Sequence, residues 1–123
     1  MRPHAQERHI EDIVAEVAAA TGLPPETARQ PIGIIIAFLA REGPQQQVRD
    51  MIARMPGAQE LADQYGGSGR GLLGVFNDLS SAGLGFGEVQ GVARAFLGAA
   101  RQRVGAGEVD AVLRGVPGLS QFV

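Results

Sequence analysis

The sequence predicts an all-α domain of about six helices, formed by two internally repeated three-helix units packed as one domain. Three observations carry this. Apolar residues recur at helical spacing, first at Ile10, Ile13, Val14, Val17 and Ala18, then at Ile32, Ile35, Ile36 and Leu39. Glycine and proline fall between these runs, where helices stop and start. Displaced by 61 residues, the chain falls on itself: Gly22-Leu23 on Gly83-Leu84, Ile35-Ile36 on Phe96-Leu97, and Met55-Pro56-Gly57 on Val116-Pro117-Gly118. The repeats cover about 9–60 and about 70–123, with a Gly-rich joint at about 64–71.

The first helix, about 9–20, gathers its apolar residues on one face, with Glu11, Asp12 and Glu16 mostly off it. Acidic residues early in a helix suit the positive end of its dipole. Gly22 supplies the left-handed residue that ends it. Pro24 and Pro25 open the second helix, where the first amides lack intrahelical partners anyway. That helix runs to Gly43-Pro44 and carries one conflict. Pro31 removes an interior amide and crowds the carbonyl four residues back, which predicts a kink or a fresh start there. A third short helix, about 45–55, shows Val48, Met51, Ile52 and Met55 and stops at Pro56-Gly57. The second copy repeats the order with Leu72, Leu73, Phe76 and Leu79, then Val89, Val92, Ala93, Phe96, Leu97 and Ala100, then Val109, Val112, Leu113 and Val116.

Composition narrows the function. The net charge is −2, and all eleven basic residues are arginine, so no overall field steers the chain onto nucleic acid or anionic lipid. The absence of cysteine removes disulfides, thiolate metal sites and thiol catalysis. The longest apolar run, Ile32 to Ala40, is far short of the ~20 residues of a membrane span. The N-terminus shows no apolar leader, so a cytoplasmic location is expected.

Gly69-Arg70-Gly71-Leu72-Leu73-Gly74 matches the G-x-G-x-x-G pattern of dinucleotide binding. Such a site needs a strand feeding the glycine turn, and "QELADQYGGS" has neither alternation nor a buried apolar run. The segment therefore reads as the joint and first turn of the second copy. His4 and His9 stand five apart, not at the i, i+4 spacing of a helical metal pair. Glu11/Asp12 and Glu108/Asp110 fall in first turns, where they read as complements of the helix dipole. Arg94, Arg101 and Arg103 form one group and Arg41, Arg49 and Arg54 a looser one. Without interleaved aromatic residues, both read as solvated faces. No catalytic, metal or cofactor residues are assigned, and the chain is not expected to be an enzyme.

The turns Thr21-Gly22-Leu23 and Ala82-Gly83-Leu84, the pairs Phe38-Leu39 and Phe96-Leu97, Val48 and Val109, and Pro56-Gly57 and Pro117-Gly118 resemble bacterial domain-of-unknown-function families of small tandem helical repeats. The resemblance implies an all-helical fold and carries over no catalytic residue. Pro31 departs from the helix former expected at its position.

The function expected is a non-catalytic interaction or assembly module, with a protein partner or self-association and no nucleic acid. Gly91, Ala95 and Gly98 lie at i, i+4 and i+7, a stripe that lets another helix approach closely within the monomer or across a dimer seam. The alternative is a binder of a small apolar or lipid-like ligand between the repeats, lined by Ile34, Ile36, Phe38, Phe86 and Phe96.

Overall fold

The computed structural model describes residues 8–65, 71–81 and 83–116. They form seven helices and no strand: α1 (Arg8–Thr21), α2 (Pro25–Glu42), α3 (Gln45–Ala53), α4 (Ala58–Tyr65), α5 (Gly71–Ser81), α6 (Phe86–Val104) and α7 (Ala106–Arg114). The expected termini hold at several joints. Gly22 takes φ 77° after α1 and its amide reaches Ala18 O at 2.9 Å. Gly83 does the same after α5, with φ 94° and an amide bond to Ser80 O. These are conformations that a side chain makes costly.

Two expectations are sharpened. Of the two readings of Pro31, the fresh start is excluded: α2 begins at Pro25 and runs through it to Glu42. The missing amide costs one hydrogen bond, but Pro31 is buried, and so is nearly every residue from 31 to 39. Helices α1, α3, α4, α5 and α6 all pack against α2, so it is apolar on almost all sides and forms the centre of the molecule. Packing on this scale outweighs the local penalty of one proline.

The second is α4, an additional helix. Residues 64 and 65, expected in the joint, are its last two; 66–70 lie outside the described residues, and α5 opens at Gly71. Gly57 at φ 93° reverses the chain after Met55-Pro56, and Leu61 N then bonds Gly57 O at 3.1 Å. The Pro56 carbonyl also accepts the Ile10 amide at 3.2 Å, tying this turn to the start of α1. Helix α4 lies against α2, where a Cβ added at Gly33 would stand 2.6 Å from Leu61 O and 2.9 Å from Tyr65 Cβ. Gly33 is thus what lets the two backbones meet.

Other contacts run between sequence-distant helices. α1 packs on α6, α2 on α5 and α6, and α3 on α7. One apolar core results, including Ile13, Ile32, Ile36, Leu39, Met51, Met55, Val92, Phe96, Val109 and Val112, and no polar or charged residue is buried among the described ones.

Candidate functional site

The ionisable side chains with resolved pairings tie helices together. Arg29 on α2 donates to the Glu11 carboxylate on α1 from both terminal guanidinium nitrogens, Nη1 and Nη2. Arg103 near the end of α6 donates to Glu16 Oε2 on α1 at 2.5 Å. Arg101, also on α6, donates to Asp110 Oδ1 on α7 at 3.0 Å. Arg54 reaches furthest, donating from Nη1 to Val104 O at 3.1 Å and to Glu108 Oε1 at 2.7 Å. It thereby clasps both sides of the α6–α7 joint. Each pair remains partly exposed, so each contributes little to stability and mainly selects one helix arrangement.

This accounts for much of what looked like surface charge in the sequence. Arg54, Arg101 and Arg103, read there as solvated faces, are engaged with carboxylates from other helices. Glu108 and Asp110 do sit in or beside the first turn of α7, and both also serve as partners of those arginines. Helical periodicity places residues around one helix but says nothing about which helix lies opposite, so the pairings were invisible to it. Arg94 is exposed. Among the described residues no group of three His, Asp or Glu side chains is placed to hold a metal ion. His4 and the side chain of His9 lie outside the described residues.

Of the residues expected to line an apolar ligand site, Ile34, Ile36, Phe38 and Phe96 are all members of the buried core. Phe86 opens α6, and its side chain lies outside the described residues. A concavity does exist elsewhere: a half-open groove of about 200 Å³ lined by Ala40, Gln45, Val48, Arg49, Ile52 and Gln59. It lies between α2, α3 and α4, and Ile34, Ile36, Phe38 and Phe96 are not among these lining residues. Its volume falls below the about 300 Å³ at which ligand pockets begin.

The stripe on α6 divides. A Cβ at Gly91 would meet Thr21 Cγ2 at an ordinary 3.7 Å, Ala95 is half-buried against the core, and a Cβ at Gly98 would meet nothing within 4 Å. A close backbone approach between helices is made by Gly33 instead, a glycine hidden within the isoleucine run. The glycine hexamer also resolves in part. Gly71 to Gly74 form the first turn of α5, and the described segment before the joint is helix α4 where a dinucleotide site would have a strand.

No helix among the described residues is long and apolar enough to cross a membrane. Comparison with known proteins finds no matching family model, no similar curated protein and no similar solved structure.

Proposed function

We propose that this chain is a non-catalytic assembly module that associates with itself, built from two copies of a helical triplet. The observation that carries the first part is the division of its side chains. The described interior is wholly apolar, and the paired charges described above link one helix to another. General acid–base chemistry calls for a polar group held within reach of a reacting atom, usually in a cleft that alters its proton affinity. The groove between α2, α3 and α4 offers a single arginine and two glutamines around an apolar floor. That is the furniture of a contact surface.

The duplication draws support from element boundaries. Pro25 and Phe86 open α2 and α6, Gln45 and Ala106 open α3 and α7, and Ala53 and Arg114 close them, each pair at the same displacement of 61. Gly22 and Gly83 share that displacement and a positive φ. The packing has matching symmetry: exchanging α1, α2, α3 for α5, α6, α7 turns the α1–α6 contact into α5–α2 and returns α2–α6 and α3–α7 to themselves. Helix α4 stands outside this exchange.

Light scattering of the intact chain over a range of concentrations tests the assembly reading. A mass that rises to at least a dimer is expected; a monomer at every concentration overturns it. A small apolar ligand remains the competing reading, tested by native mass spectrometry of protein from its own host. A stoichiometric co-purifying ligand would displace the assembly reading.

A further inference from the structure

We propose that the α6–α7 joint is a hinge through which two copies of this chain exchange α7, and that this exchange is the route of self-association. The inference rests on the assembly reading above and specifies its interface: the seat that α7 already occupies.

The joint is a single residue. α6 runs to Val104 and α7 starts at Ala106, with Gly105 between them at φ 125° and ψ 137°. Hydrogen bonding is helical on both sides, since Gly105 N bonds Arg101 O at 3.0 Å and Val109 N bonds Gly105 O at 3.2 Å. Moving one residue into the helical region would join the two into one helix from Phe86 to Arg114. Only glycine occupies the present φ without strain, and glycine also reaches the helical region readily.

The corresponding joint in the first unit is built differently. α2 and α3 meet at Gly43-Pro44, and Pro44 precedes α3 at φ −67° and ψ 119°. A proline there resists straightening, because inside a continuous helix it lacks an amide and crowds the preceding turn. One joint carries a residue that opposes a continuous helix, and the other carries one that permits it.

Arg54 holds the α6–α7 joint closed. Its guanidinium donates to Val104 O, the carbonyl that would accept the Glu108 amide in a continuous helix, and at the same time to the Glu108 side chain. Straightening therefore exchanges the Arg54 bonds for backbone bonds. When α7 swings out, it uncovers its own apolar face of Val109, Val112, Leu113 and Val116 and the α3 surface beneath it. The complement of each is the same surface on a second copy, so reciprocal exchange restores the α3–α7 contacts, and the α6–α7 contacts away from the joint, Arg101 with Asp110 among them, re-form between copies. Domain swapping through hinge loops follows this logic.

Sedimentation velocity of the wild type, Gly105→Ala and Arg54→Ala tests it. Alanine disfavours φ 125° and favours the helix, so Gly105→Ala is expected to raise the dimerisation constant about tenfold or more. Arg54→Ala, which leaves the hinge residue unaltered, is expected to raise it several-fold. If neither variant raises it, the exchange is overturned.

Topology is read by crosslinking. A Cβ at residue 115 stands 3.4 Å from Pro44 Cβ, close to disulfide spacing of about 3.5–4.5 Å, and the native chain has no cysteine. Pro44→Cys with Gly115→Cys is oxidised with and without Gly105→Ala. Exchange predicts bonds between chains in the dimer fraction of both forms, with a larger share of covalent dimers for Gly105→Ala. A wild type that dimerises while both forms crosslink only within the chain would overturn the exchange and leave the assembly reading standing.

Discussion

Two glycines on neighbouring central helices show how differently one residue type is used. Gly33 permits backbone contact between α2 and α4, and any Cβ there meets Leu61 O at 2.6 Å. Gly98 on α6 meets nothing within 4 Å. Urea denaturation should separate them. Gly33→Ala is expected to destabilise the fold by about 1–3 kcal/mol through overpacking. Gly98→Ala should leave stability unchanged or raise it by up to about 1 kcal/mol, from helix propensity alone. Equal effects at both positions would contradict these placements. Among the charges, Arg103 is the least exposed of the paired arginines, yet its partner Glu16 is still 45% exposed. Arg103→Ala is accordingly expected to cost no more than about 1 kcal/mol, and less at high salt. A loss several times larger would mean that the pair does more than choose a helix arrangement.

At the scale of elements, six helices were legible because each carries a long apolar face and a glycine or proline near its end. Helix α4 was not. "AQELADQY" contributes only Ala58, Leu61 and Ala62 to the core, too short a pattern to stand apart from a polar linker. Its close packing on α2 depends on Gly33, and nothing in the local sequence of either segment announces that contact. Pro31 left two readings open, and burial of the helix on almost every side selects a helix that continues through it over a fresh start. The candidate site was less legible than the fold. Four of the five expected ligand-site residues are buried in the core, and a run such as "IGIIIAFLA" looks the same in sequence whether it lines a cavity or fills one. The importance of α4 can be measured directly. Leu61→Ala is expected to cost about 2–4 kcal/mol, as for other buried leucines, despite lying on an eight-residue helix. A loss under about 0.5 kcal/mol would make α4 a dispensable appendage.

For the whole molecule, the arrangement explains why the central helix tolerates proline and why so little chemistry is held inside. The two long helices α2 and α6 form the centre, and the shorter helices close over them. The two halves of the chain depend on each other, since α1 packs on α6 and α5 on α2. Surfaces of that kind are complementary to another copy as readily as to the same chain, which is the physical basis of the assembly reading. Sedimentation equilibrium of the intact wild-type chain, at several loading concentrations, tests that reading most directly. The account predicts a reversible or slowly exchanging dimer whose fraction grows with concentration. A single ideal monomer of 12.9 kDa at every concentration would contradict it.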